Sequence, residues 1–211
     1  MTEPARKLKR SAVKNIVRFP AIKANLGRTI LVESILESNY CLHLEFSKSV
    51  KSYKPQPKTF KLSEKDEEIT FTPDFEVELT SGERRYDEVK PVKKSETGYY
   101  RKVFNSFQES LIGTNITFKV VTEIEICREP LLSNYYKLYR YRKRSSLLDI
   151  RNLHNCAPRV KGRIKLSELI ADLKGFASLG EIYSWLAWGY IQFDIENEPL
   201  NLNTMVNFYV N

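Results

Sequence analysis

Apolar and polar positions alternate through "EEITFTPDFEVEL" (67–79). Ile69, Phe71, Pro73, Phe75 and Val77 fall on one side, and Thr70, Thr72, Asp74 and Glu76 on the other. Successive strand residues leave opposite faces of a sheet, so this period of two predicts a half-buried strand. "TSGERR" supplies a turn at Gly82, and "RYDEVKPV" returns as a second strand. Its period sets Tyr86, Glu88 and Lys90 on one face and Val89 on the opposite one. Upstream, in "GRTILVESILESNYCLHLEF", the residues Ile30, Glu33, Glu37, Tyr40, Cys41 and Leu44 share a face at 100° per residue. That spacing predicts a helix starting at Gly27. Between helix and strand lie two short extended pieces, "VKSYKPQP" and "KTFKL". "GYYRKVFNSFQESLIG" returns to a helical period through Tyr100, Val103, Phe104, Phe107 and Leu111, and "NITFKVVTEIEI" is a β-branched strand. "EPLLSNYYKLYRYRKRS" predicts a helix in which aromatic and basic residues interleave.

Past residue 145 the pattern shortens. "IKLSELIADLKG" and "SLGEIYSWLAWGYI" predict two amphipathic helices with Ser167 and Ser178 as N-caps. "YIQFDIENEPLNLNTMVNFYV" predicts two short strands around a polar turn. Helix, helix and hairpin form the back half of a winged-helix domain, with Trp185 and Trp188 in its core. The expected organisation is a basic arm over 1–27, an α/β domain over 28–145 and a small winged-helix-like domain over 146–211.

Charge changes the picture. The 211 residues carry a net charge of +8, and in the arm a run of Lys and Arg faces a single acid, Glu3. Such a surface either favours anionic partners, chiefly nucleic acid or acidic membrane, or serves solubility. No apolar run reaches membrane-spanning length and no signal peptide opens the chain, so no membrane association is expected. Cys41, Cys127 and Cys156 fit neither a disulfide framework nor a zinc pattern, and His43 and His154 have no partner at metal spacing. A reduced cytoplasm is the expected compartment.

The candidate chemistry lies in the hairpin. Pro73-Asp74 followed by Glu88-Val89-Lys90 sets two carboxylates on neighbouring strands, with a Lys on the face of the second. Hard cations such as Mg²⁺ or Mn²⁺ take carboxylate oxygens, and phosphodiester hydrolysis needs such an ion. A Lys there positions or deprotonates the attacking water, or offsets charge in the transition state. Read blandly, the same letters are an Asp in a turn and an exposed Glu–Lys pair. On the preceding helix Glu37 is the natural third acid, whereas Glu33 reads as solvated or paired with Arg28. Acidic helix, strand, PD strand, hairpin, ExK strand, helix and strand is the order of a restriction-endonuclease-like core, the PD-(D/E)xK layout.

The chain resembles the TnsA family, the endonuclease subunits of heteromeric cut-and-paste transposases. "ESILESNYCLHLEFSKSV", "TPDFEV" and "DEVKP" carry the likeness in the first domain, and "SLGEIYSWLAWGYIQFDIENEPLNLNTMV" in the second. It covers roughly 27–210. The resemblance implies Glu37 as the helix carboxylate, Asp74 and Glu88 as metal ligands, the Val89 backbone carbonyl as a further ligand, and Lys90 as the catalytic lysine. At position 88 some relatives carry Gln. It further implies nicking of transposon 5′ ends in DNA transposition, beside a DDE transposase, TnsB. It also implies an ATPase regulator, TnsC, docking on the C-terminal domain, in a bacterial cytoplasm and at the nucleoid when active.

Other features leave alternatives open. Arg84 and Arg85 in the hairpin, with Lys93 and Lys94 after it, either grip phosphates flanking the scissile bond or sit in a solvated turn. "YYKLYRYRKR" either contacts DNA backbone or packs. The turn from Asp194 to Asn203 has three acids and no base, which suits a protein partner better than phosphate. The competing functions are a metal-dependent endonuclease within a transposase, a stand-alone restriction or repair nuclease, and a non-catalytic DNA-binding or scaffold protein on a nuclease fold.

Overall fold

The computed structural model describes residues 16–24, 29–64, 67–144, 147–160 and 162–209, and it divides into two compact units, Met1–Cys127 and Arg128–Asn211. In the first unit β1 (Val17–Pro20) pairs antiparallel with β2 (Thr29–Val32). The expected helix start at Gly27 lies outside the described residues, as do Arg28 and most of the basic arm. Its next residues are not helical. "TILV" is rich in β-branched side chains, which lose χ1 freedom in a helix and fit a pleated strand, and Ile30 and Val32 are buried from alternate positions. Within the part of the arm that is described, Phe19, Ala21 and Ala24 are buried.

The helix α1 (Ile35–Phe46) begins at Ser34, whose hydroxyl accepts from the Glu37 N–H at 3.1 Å. Then follow β3 (Val50–Pro55), β4 (Phe60–Glu64), β5 (Glu67–Phe71), β6 (Phe75–Leu79), β7 (Arg84–Val89), α2 (Val92–Ser95), α3 (Gly98–Ser110), β8 (Ile116–Val121) and α4 (Glu123–Ile126). A four-stranded mixed sheet has the order β3-β6-β7-β8, flanked by helices. Its first two pairings are antiparallel, and β7–β8 is parallel. Parallel neighbours need a crossover, and α3 supplies it. β4 and β5 form a separate hairpin.

The strand expected over 67–79 is thus two strands. Pro73 has no N–H to give a ladder and restricts Thr72 before it, so pairing stops at Thr72–Asp74. Phe71 and Phe75 share parity in sequence yet serve opposite layers. Phe71 joins Phe104, Phe107 and Phe118 under α3, with ring centroids 4.8 Å from Phe107. Phe75 meets Tyr40 of α1 and Tyr53 of β3 at 5.7 and 6.0 Å. The register Phe75↔Asp87 carries Asp87 to the α1 layer, while its neighbour Tyr86 lies 5.7 Å from Phe107 in the α3 layer. Phe107 is fully buried, and each large apolar side chain so covered contributes about 1.5–3 kcal/mol.

The second unit holds α5 (Leu131–Arg142), α6 (Ile150–Cys156), β9 (Ile164–Lys165), α7 (Leu166–Asp172), α8 (Leu179–Trp188), β10 (Ile191–Gln192) and β11 (Met205–Phe208). Its sheet has the order β10-β11-β9. Ser178 caps α8 reciprocally with Glu181, and Gly189 ends that helix with φ of 80°, a left-handed backbone that glycine adopts at no steric cost. Ser167 is not a cap: α7 already runs from Leu166, and the Glu168 carboxylate takes the Lys165 N–H at 3.2 Å. The compact units part at Cys127, earlier than the boundary read at 145, because α5 packs on α8. Tyr141 stacks on Tyr183 at 4.9 Å, and the Arg142 guanidinium lies 4.3 Å from the Trp188 ring while donating to the Ala187 carbonyl at 2.6 Å. Trp185 is fully buried in the core of this unit. Among the described residues no helix is long and apolar enough to cross a membrane.

Candidate active site

At the end of β7, where β6 begins beside it, a cleft of about 460 Å³ is lined by Glu37, Thr72, Asp74, Glu88, Val89, Lys90 and Lys94, with Tyr99 and Tyr100 on its α3 wall. The acids come from three elements because the fold brings three backbone breaks together: the start of α1, the Pro73 corner and the end of β7. Asp74, Glu88 and Glu37 are all buried. Asp74 Oδ2 accepts from the Val89 N–H at 2.8 Å, which locks the corner onto β7. Glu37 is held by its own helix start, taking the Ser34 hydroxyl at 2.8 Å on one oxygen and the Glu33 N–H at 2.9 Å on the other.

Charge is not balanced here. Burial raises the Glu37 carboxyl to about 7, and the nearby Asp74 charge pushes it the same way. Burial also raises Glu88, against the pull of Lys90 Nζ, 2.7 Å from Glu88 Oε1. The second Glu88 oxygen is buried and has no hydrogen-bond partner among the described residues. Burial alone would lower the Lys90 ammonium, but Glu88 and Asp74 outweigh it and hold its pKa well above the ordinary value. Lys90 also lies 5.0 Å from the Tyr100 ring centroid. Lys90 is thus ion-paired with Glu88, and Lys94 lines the same cleft.

Among the described residues no three His, Cys, Asp or Glu side chains are gathered closely enough to enclose an ion as they stand. Glu88 faces Lys90, and Glu37 is turned into its cap. The donors nonetheless suit Mg²⁺ or Mn²⁺. They are hard carboxylate oxygens, one buried oxygen has no partner among the described residues, and a cation would offset both the burial that chiefly raises Glu37 and the Asp74 charge that adds to it.

The hairpin arginines are elsewhere. Arg84 pairs with Glu76, and Arg85 reaches Asp87 with Nε to Oδ1 at 2.5 Å on the α1 side of the sheet. Neither lines the cleft, whereas Lys94 does, and Lys93 is exposed on α2. Arg84 instead borders a larger cavity of about 840 Å³, where Lys51 and Glu78 pair at 2.6 Å. That cavity contains no buried acid. The tyrosine-rich α5 resolves toward packing: Tyr139 is buried and Tyr141 stacks, while Tyr136 remains exposed.

Sequence reasoning missed Ser34, which positions Glu37, and the wall formed by Tyr99 and Tyr100. It also missed Gln56. This residue is buried with φ of 44°, a strained backbone for a non-glycine residue, and its N–H donates to the Asp74 carbonyl at 2.8 Å. Its amide nitrogen and oxygen are both buried and unpartnered among the described residues. Only the flanking prolines, Pro55 and Pro57, hint at an unusual backbone there. Set against known proteins, the chain matches no family model and no curated protein.

Proposed function

We propose that this protein is a metal-dependent DNA endonuclease whose active centre is the cleft at the end of β7. The observation that carries this reading is the convergence of buried Asp74, Glu88 and Glu37 with Lys90 and Lys94 in one cleft, with one Glu88 oxygen left without a partner among the described residues. The mixed sheet with its α3 crossover supports a restriction-endonuclease-like reading of the first unit. Asp74 and Glu88, with Glu37 and the Val89 carbonyl beside them, would hold Mg²⁺ or Mn²⁺. When bound, the ion would offset phosphate charge and lower the pKa of the attacking water. Asp74 anchors the Pro73 corner through the Val89 N–H, so the two strands present their carboxylates at a fixed separation. Lys90, beside Glu88 and on the same strand face, would offer positive charge to the phosphate as negative charge builds or position the attacking water.

With the TnsA resemblance, the reaction is nicking of transposon 5′ ends in the cytoplasm, at the nucleoid, in concert with TnsB and under TnsC. After α5 the second unit runs helix, strand, two helices and two strands, which supports a winged-helix-like reading. Its α8, where a DNA reader would present bases, carries no Lys or Arg and is packed against α5. Two of the turn's acids are tied down, Glu196 to Arg128 at 2.9 Å and Glu198 to Arg163 at 3.4 Å. Both features favour a protein partner for this unit.

A second reading has its own support. Glu37 serves as a helix-start acceptor and Glu88 pairs with Lys90, so the same groups would also suit a non-catalytic scaffold. Nicking of transposon-end and random plasmid DNA with Mg²⁺ or Mn²⁺, with and without a DDE transposase, separates the two. Cleavage lost in Lys90→Ala with DNA binding kept is the expected result. Cleavage absent under every condition favours the scaffold, and cleavage unchanged in that variant removes Lys90 from the catalytic centre.

A further inference from the structure

The cleft is lined by basic and aromatic side chains as well as acids, and neither Tyr99 nor Lys94 has a part in the chemistry described above. Tyr99, the second residue of α3, is 61% exposed although it lines the cleft. Its ring meets Tyr100 edge-on at 5.3 Å, and Tyr100 in turn is braced by Phe104 at 5.6 Å and faces Lys90. Tyr99 thus stands on a braced ring with most of its own surface open to the cleft and solvent. Lys94 lines the same cleft, and Lys93 and Arg101 are exposed beside it. None of these three forms an ion pair among the described residues, in contrast to Arg84 and Arg85. The next residue toward the N-terminus, Gly98, leaves open space where a side chain would stand.

A lone exposed tyrosine is ordinary. One set in the wall of an acidic cleft, between unpaired cations, fits a specific ligand. Cations track a phosphate backbone while an aromatic face takes an unstacked base. We propose that Tyr99, flanked by Lys94, is a stacking subsite for one unpaired nucleotide next to the scissile phosphate. The preferred substrate is then DNA that is single-stranded or locally opened at the cut, not a fully paired duplex. This rests on reading the cleft as the nuclease centre and names its substrate class.

The test uses the full chain in EDTA, so that no cleavage intervenes, and synthetic DNA carrying 2-aminopurine. One probe is a duplex with the fluorescent base unpaired, one is fully paired, and a third is the unpaired probe made as RNA. Stacking on Tyr99 quenches the fluorescence of the unpaired DNA probe. Tyr99→Ala is expected to lose that quenching and to bind the unpaired probe about tenfold more weakly, with the paired duplex bound as before. Tyr99→Phe, which keeps the ring, should behave as wild type. Equal losses on paired and unpaired DNA, or no change on either, would overturn the subsite. Tighter binding and stronger quenching of the RNA probe would overturn its assignment to DNA. Failure of the nuclease reading is seen separately, as absent metal-dependent cleavage while the quenching persists.

Discussion

Two clusters of buried charge sit on consecutive residues of β7 and behave in opposite ways. On the α1 side, Asp87 is fully buried, yet each of its oxygens has partners. Arg85 binds both oxygens, at 2.5 and 3.0 Å, and the Tyr40 hydroxyl donates to Oδ2 at 2.6 Å. One residue on, Glu88 has Lys90 on one oxygen, no partner on the other among the described residues, and two more buried acids nearby. Satisfied burial is what a structural ion pair needs. Frustrated burial is tolerated where a ligand completes the set, and perturbed acids gather at such sites. The strand alternates these roles because its period of two sends Asp87 and Glu88 to different layers.

The largest effect expected is catalytic. Lys90→Ala should reduce cleavage by about 100-fold or more, the scale on which preformed positive charge stabilises a transition state. Rates on plasmid DNA check this, and an unchanged rate would place Lys90 with the structural pairs. Arg85→Ala should do the reverse. It strands Asp87 beside Tyr40 alone and is expected to cost about 3 kcal/mol in denaturant unfolding, while cleavage per folded molecule is kept. Loss of activity at full stability would erase the contrast between the clusters.

A smaller effect depends on pH. The folded Glu37 carboxyl titrates near 7, above the ordinary value of 4.5. A raised acid contributes stability below its unfolded pKa and loses it as pH rises through the folded one. Without metal, the wild type should therefore fall relative to Glu37→Gln by about 2–3 kcal/mol between pH 4.5 and 8. Unfolding of both proteins across that window measures it, and parallel curves would show that neither burial nor the Asp74 charge raises Glu37. The smallest effect belongs to Arg84→Ala. Its pair with Glu76 is largely exposed, so stability should change by less than about 1 kcal/mol and cleavage hardly at all. A tenfold drop in cleavage would return the hairpin to the DNA interface.

Much of this was legible in the sequence, for physical reasons. Period two placed Glu88 and Lys90 on one face, and the hairpin at Gly82 placed Asp74 on the neighbouring strand, although the alternation runs through Pro73 and hides the break there. Glu37 was legible as an acid inside an apolar stripe, although the helix starts eight residues later than its pattern suggests. β-Branched "TILV" has both an alternating and a helical apolar face, and tertiary pairing with β1 decided for the strand. The hairpin arginines misled because charge in sequence carries no direction. Glu76 on the neighbouring strand and Asp87 two residues on claimed them. Gln56 and Tyr99 were invisible because a strained φ and an open ring face exist only in three dimensions.

The central claim is that the three buried acids form a cation site, and metal titration tests it without any partner or DNA. Calorimetric titration of Mn²⁺ into wild type and Asp74→Ala, with unfolding curves to verify that both are folded, is the most direct measurement. The account predicts a binding isotherm for the wild type and none for the folded variant. Equal heats from the two proteins would contradict it.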